Sequence, residues 1–272
     1  MKNKLFENFI YLIIFLSFLY LFICFFMYFF QRDFLYLHKV HSYNTVYKLN
    51  ADIQKIDIPS TDNIQLKSWF YKNEKNKYTV LFLHGNGDTK DARIYKLNTF
   101  KNLNLNYLII SWRGYEGSKG KPSEQGLYDD ANSAVKWLEA NNIPKNKIII
   151  YGESLGTGVA IEIAQKKKFA GIILESPYTS LIDIAKINYS YLPVNLILKD
   201  KYDSINKIKN ISSPVLVMHG EKDRIVPNFM GKAIFDKITT KKQGYFSGKQ
   251  THFMRYDEEL ILEIKKFVKN LN

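Results

Sequence analysis

Ile148-Ile149-Ile150-Tyr151-Gly152-Glu153-Ser154-Leu155-Gly156 is the stretch on which the reading of this chain turns. An apolar run of strand length stops at a glycine, and a serine follows two residues later. A second glycine then opens Leu155–Lys166, a segment of helical length rich in small residues. Gly-x-Ser-x-Gly between a strand and a helix marks a sharp turn that holds its serine in a strained backbone conformation. Side chains two positions either side would collide with the neighbouring strand and helix, which accounts for glycine at 152 and 156. The competing reading is a glycine-rich strand–helix turn with an incidental serine. What separates the two is whether the rest of the chain supplies partners for that serine.

Outward from this turn, short apolar runs alternate with helical patterns. Tyr78–Leu83, Tyr107–Trp112, Lys147–Tyr151, Gly171–Leu174, Val215–Met218 and Gly244–Phe246 read as strands. Asp88–Asn102, Gly126–Asn141, Met230–Ile238 and Asp257–Val268 read as helices, the second with Leu127, Ala131, Ala134, Val135 and Leu138 on one face. Ile53–Ile58 and Ile64–Tyr71 form a strand pair about the turn Ser60-Thr61-Asp62-Asn63. Continuous apolar strands alternating with helices predict a mostly parallel, twisted sheet with helices on both faces. Ligands of such sheets bind at the carboxyl ends of the strands, and His84, Ser154, Asp223 and His252 each follow a strand.

A serine hydroxyl needs a base, and histidine is the usual one near neutral pH. Of five histidines, His38 and His41 lie in a membrane-proximal connection, while His84 and His219 each precede a glycine at a strand end, where a ring shapes a turn or packs inward. His252, in a polar loop before the last helix, is the expected general base. Asp223, in the loop after the Val215–Met218 strand, is the expected carboxylate to orient it, with Glu221 as the nearby alternative and helix capping as the competing role. Ser154, Asp223 and His252 come in nucleophile–acid–base order. Backbone N–H groups of Asn86, in Leu83-His84-Gly85-Asn86-Gly87, and of Leu155 are the expected oxyanion-hole pair. A phosphate cradle is the other use of such a loop, but Gly-Lys-Ser/Thr is missing from it.

Phe9–Phe30 carries no charge. As a helix it would extend ~33 Å, enough to cross a bilayer core of about 30 Å. The run ends in Phe29-Phe30-Gln31-Arg32 with no small-residue cleavage pattern, so it is expected to stay as an anchor. Lys2 and Lys4 before it, against Arg32 and Lys39 after it, lean towards a cytoplasmic N-terminus and an extracytoplasmic globular domain. The expected organisation is a tail at 1–8, an anchor at 9–30, a connection at 31–50 and one catalytic domain at 51–272. Within that domain about 177–212, carrying Tyr178, Tyr189, Tyr191, Leu192 and Leu196, would form a short lid.

The 272 residues, 46% hydrophobic and 24% charged, suit a globular domain. A net charge of +13 comes from scattered lysines, with Lys166-Lys167-Lys168 the tight run. No basic helix or nucleic-acid module accompanies them, so no nucleic-acid partner is expected. The single cysteine, Cys24, falls in the apolar run, which removes disulfides, cysteine metal sites and cysteine nucleophiles from the globular part.

These residues resemble the α/β-hydrolase superfamily, and within it the Bem46-like group with its membrane-associated relatives. The resemblance is carried by Leu83–Gly87, Trp112-Arg113-Gly114-Tyr115-Glu116-Gly117-Ser118, Gly152–Gly156, Pro214–Asp223 and Thr251-His252, and runs from about Phe34 onward. Ser111 and Glu116 depart from it, standing where the group more often has Asp and Gly. The resemblance implies an α/β-hydrolase fold with a Ser154–Asp223–His252 triad and no metal or organic cofactor. It also implies acyl esters or thioesters as substrates, on small molecules, lipids or lipidated proteins. A serine peptidase or amidase on the same fold is the alternative chemistry. A non-catalytic, membrane-tethered binding module is the alternative class.

Overall fold

Strands that are apolar at every position must be covered on both faces, and the chain meets that demand with helices on either side of one sheet. The computed structural model describes residues 2–37, 52–87 and 90–271. Its strands are β1 (Gln54–Pro59), β2 (Gln65–Tyr71), β3 (Thr79–Leu83), β4 (Asn106–Ile110), β5 (Ile148–Glu153), β6 (Gly171–Glu175), β7 (Val215–Gly220) and β8 (Lys242–Ser247). They form one eight-stranded sheet in the order β1-β2-β4-β3-β5-β6-β7-β8. The β1–β2 and β2–β4 pairings are antiparallel, and every pairing from β4 through β8 is parallel. The parallel strands therefore end together along one edge.

The helices are α1 (Lys2–Leu35), α2 (Ile94–Asn102), α3 (Glu124–Ala140), α4 (Leu155–Ala164), α5 (Leu181–Asn188), α6 (Val194–Ile197), α7 (Ser204–Lys207), α8 (Asn228–Lys237) and α9 (Glu258–Lys269). Alternation along the strands sorts their side chains into two cores. Leu81, Leu83, Ile148, Ile150, Ile172 and Leu174 pack with Leu127 and Val135 of α3, Val159 of α4 and Met230 of α8. Val80, Phe82, Ile149, Tyr151, Ile173 and Leu216 pack on the other face with Leu97 and Phe100 of α2 and Ile264 and Phe267 of α9. Ser123 caps α3 by accepting from the Gly126 N–H at 3.1 Å.

Some boundaries differ from the sequence expectations. The helix expected from Asp88 begins at Ile94, after a 3₁₀ turn at Lys90–Arg93; Asp88 and Thr89 lie outside the described residues. The strand expected to reach Trp112 ends at Ile110, and beyond it the Trp112 indole N–H donates to the His84 carbonyl at 3.0 Å. Helix α1 continues past Phe30 to Leu35 and is long and apolar enough to cross a membrane. Tyr36 and Leu37 follow it, and the expected connection from residue 38 onward, with His38 and His41, lies outside the described residues.

Gly156 sits where α4 meets β3. A Cβ there would lie 2.0 Å from the Leu83 carbonyl oxygen, backbone against backbone, with no flexible side chain to yield. At Gly87 an added Cβ meets nothing within 4 Å. Gly156→Ala is therefore expected to cost about 3 kcal/mol or more, and Gly87→Ala to stay within about 0.5 kcal/mol of the parent, both read from urea unfolding midpoints.

Candidate active site

Between β5 and α4 the backbone turns at Ser154 with φ 49° and ψ −115°. Such a conformation persists only where the surroundings over-determine it. Here the Ser154 N–H donates to the Glu175 carbonyl of β6 at 2.9 Å. A Cβ on Gly152 would lie 2.7 Å from the Gly156 carbonyl oxygen and from Thr157 Cα. The glycines at 152 and 156 are thus required by close approach, as the motif predicts. A Cβ on Gly85 would come to 3.4 Å from Ser154 Cβ, so the loop after β3 lies directly against the serine.

The structure brings three of the expected side chains together. His252 Nε2 is 3.0 Å from Ser154 Oγ, and His252 Nδ1 is 2.7 Å from Asp223 Oδ2. The other Asp223 oxygen accepts from the N–H groups of Ile225 and Val226, each at 2.8 Å. Asp223 thus holds its own turn and the imidazole at once. Glu221, the alternative carboxylate, instead pairs with Lys232 at the surface at 3.5 Å.

His219, expected to shape a turn or pack inward, packs inward, and the structure gives it a further contact. Its Nε2 lies 3.2 Å from Asp223 Oδ2 and 2.9 Å from the Val226 carbonyl, and the ring is fully buried. Burial works to raise the Asp223 carboxyl, yet hydrogen bonds from His219 and His252 and from the Val226 N–H win and hold it well below the usual carboxylate range. The carboxylate therefore stays ionised wherever the protein is folded near neutrality.

Leu155 follows the serine directly, and Asn86 follows Gly85, which lies against it. Leu155 is the first residue of α4, so its N–H has no carbonyl four residues back within the helix. The Asn86 side chain is fully engaged: its Oδ1 accepts from Tyr115 Oη at 2.7 Å and from the Leu37 N–H at 3.1 Å, and its Nδ2 donates to the Leu35 carbonyl at 2.5 Å. The loop is pinned below by charge. Glu153 Oε1 accepts from Arg93 Nη2 at 2.6 Å and from the Gly85 N–H at 3.3 Å, while Arg93 also donates to the Gly87 carbonyl at 2.7 Å. Lys96 Nζ bridges Glu153 and Glu175, each at 2.7 Å. Burial opposes the charge on Glu153, but the Arg93 and Lys96 cations outweigh it and hold that carboxyl far below its usual range. Nothing in the linear spacing of Arg93, Lys96, Glu153 and Glu175 marked them as one cluster.

The two departures, Ser111 and Glu116, meet at a single buried cation. Lys90 Nζ donates to Ser111 Oγ at 3.1 Å and to Glu116 Oε2 at 3.2 Å. Glu116 thus supplies from a neighbouring turn the negative charge that an aspartate at 111 would have brought. Arg113 is also structural, with its Nη2 and Nε on Asp130 Oδ1 of α3 at 2.8 and 3.0 Å.

Sheet order and elbow together define the class, an α/β hydrolase. Residues 74–192 match a family profile described as serine aminopeptidase, S33. Protein bem46 of Schizosaccharomyces pombe is 32% identical over 213 residues, covering 74% of this chain and 70% of that one. That likeness assigns the chain: it belongs to the Bem46-like family of α/β hydrolases. Lysophosphatidylserine lipase ABHD12 of Danio rerio is 31% identical over 213 residues, which are 71% of this chain and 55% of the lipase. The chain spans 62% of the length of the Mycobacterium tuberculosis relatives it matches. Among solved structures, the Pyrococcus furiosus esterase Pf2001 shares the fold with a TM-score of 0.68 over 85% of this chain and 99% of that one, at 20% identity.

His84 makes the fold sensitive to acid. Burial, helped by the Arg93 cation, pushes its imidazole down to about 3, against the opposing hydrogen bond to the Gly85 carbonyl. An unfolded histidine takes up a proton below about 6.5, while this one stays neutral to far lower pH, so the unfolded state binds more protons across that interval. Stability contributed by neutral His84 is complete above pH ~6.5 and declines as pH falls towards about 3. The melting temperature should drop from pH 7 to pH 5, with a shallower drop in His84→Gln.

Proposed function

We propose that this chain is a serine hydrolase that cleaves acyl ester or thioester bonds through a covalent acyl-enzyme on Ser154. The observation that carries the reading is the unbroken run from Ser154 Oγ through His252 to Asp223, with steps of 3.0 and 2.7 Å, at the carboxyl edge of a parallel sheet. With Nδ1–H donated to Asp223, His252 Nε2 is free to take the Ser154 proton as Oγ attacks the substrate carbonyl. Asp223 orients the ring and stabilises the imidazolium that forms. The Asn86 and Leu155 N–H groups receive the oxyanion, which they would stabilise before the bond to the leaving group breaks. The imidazolium returns its proton to the departing alcohol or thiol. A water, deprotonated by His252, then releases the carboxylic acid from Ser154.

The excursion between β6 and β7, about 177–212, serves in this reading as a short lid. Helix α1 serves as the membrane anchor, with the catalytic domain on the extracytoplasmic side. A lid of aromatic and aliphatic residues beside an anchor favours long acyl chains, on lipids or lipidated proteins. The name of the zebrafish relative, a lysophosphatidylserine lipase, is consistent with a lipid substrate. The peptidase reading keeps one specific support, the aminopeptidase description of the matching profile.

A fluorophosphonate probe should label the wild-type protein and leave Ser154→Ala unlabelled. Unlabelled, folded wild-type protein would exclude the enzyme. Hydrolysis of nitrophenyl acyl esters should fall about 10⁴-fold or more in Ser154→Ala and about 10⁴-fold in Asp223→Asn. Turnover of an acyl ester should exceed that of an aminoacyl amide in parallel assays, and the reverse result selects the peptidase.

A further inference from the structure

The contacts between α1 and the excursion after β6 extend far along the apolar helix. Tyr20 Oη donates to the Tyr191 carbonyl at 2.9 Å. Gln31 donates to the Ile197 carbonyl at 2.9 Å and accepts from the Lys199 N–H at 2.7 Å. Arg32 makes a two-point ion pair with Asp200, both bonds 2.8 Å. From Tyr20 to Arg32 the helix rises ~18 Å. The part below this contact that carries no charge, Asn8–Leu19, rises only ~18 Å, well short of a ~30 Å hydrocarbon core. Glu7 and Arg32 bound the uncharged stretch at its two ends. The helix therefore spans a bilayer only if the segment alongside the excursion is in hydrocarbon too, and the excursion must lie in the leaflet with it.

The surface of the excursion fits that setting. Ile187, Tyr189, Tyr191 and Leu196 are exposed, Leu196 by 82%, which is an apolar patch that water disfavours. Carbonyls in hydrocarbon need partners, and Tyr20 and Gln31 supply them to Tyr191 and Ile197. Lys199 lies over the Tyr28 ring at 4.0 Å, beside Arg32, where cationic heads on long stems reach a headgroup layer.

Between the two elements runs a groove with a cavity of about 180 Å³, walled by Met27, Phe34 and Leu35 of α1 and by Ile184, Leu192 and Ile197 opposite. Gln31 and Tyr189 bring the polar groups to its wall, and the Gln31 amide is already bonded. The lining suits a hydrocarbon chain. At one end Leu35, which lines the groove, accepts through its carbonyl from the side chain of Asn86.

We infer that this groove takes the acyl chain of a bilayer lipid directly from the leaflet, with α1 as one wall of the binding site and the embedded excursion as the other. The inference rests on the acyl-hydrolase reading for what happens to the chain, but not for where it binds. The full chain is reconstituted in phosphatidylcholine vesicles with or without brominated acyl chains. Tryptophan fluorescence of Leu196→Trp should be quenched by the brominated lipid, and that of Leu262→Trp, on α9, should not. Equal quenching at the two positions overturns the leaflet placement. Ala185→Trp, which fills the groove, should lower hydrolysis of a palmitoyl ester about 10-fold or more while leaving an acetyl ester within about twofold of wild type. Loss of both activities, or of neither, overturns the groove assignment. A phospholipid with a photoactivatable palmitoyl chain gives a readout free of turnover: it should crosslink to the wild-type groove and not to Ala185→Trp, and absence of wild-type crosslinking also overturns the assignment. If wild type cleaves no ester of any length, the acyl-hydrolase reading falls, while quenching and crosslinking still decide the groove.

Discussion

How closely α4 approaches the end of β3 governs everything at this site. Gly156 permits a backbone contact that any side chain would block, with the Leu83 carbonyl 2.0 Å from where a Cβ would stand. That approach sets the start of α4 against Leu83 and His84, with Gly85 close to Ser154. It also forces the chain through φ 49° at the serine, a conformation that costs of order 1–3 kcal/mol. Two apolar cores, one on each face of the sheet, hold the flanking strand and helix rigid enough to impose that strain.

A second layer of control is electrostatic. Glu153, Arg93, Lys96 and Glu175 are buried charges beside the serine, and isolated burial of any one would be unfavourable by several kcal/mol. Paired, they fix the loop that faces Ser154, since Glu153 and Arg93 both hold its backbone. Tyr151 and Tyr256 add hydroxyl contacts to Glu175 and tie the last loop to the same cluster. Such a network contributes less to overall stability than to geometry, because its Coulombic gain is largely offset by desolvation. Lys90 with Glu116 and Ser111 is a second buried cation held in the same way.

The apolar helix is joined to this scaffold rather than tethered by it. Arg32 and Tyr36 meet Asp200, and Leu35 and Leu37 meet Asn86, so the end of α1 touches both the excursion and the loop against the serine.

Local pattern determined much of this protein. The elbow could be read because strand, glycine spacing and small-residue helix are all local, and the apolar strands because burial on both faces leaves a continuous run. The apolar length of α1 was equally plain. Ser154, Asp223 and His252 were legible as candidates because each falls in a loop after a strand, and parallel topology gathers such loops at one edge. Only the tertiary structure decided what distant residues do to one another. His219 joins Asp223, Lys96 bridges two glutamates, Glu116 answers Lys90, and the Asn86 side chain grips α1. Each of these contacts depends on the order of strands in the sheet and on helix packing across it. Spacing along the chain carries no record of that order, so charges and polar groups far apart in sequence show their pairing only once the fold has buried them together.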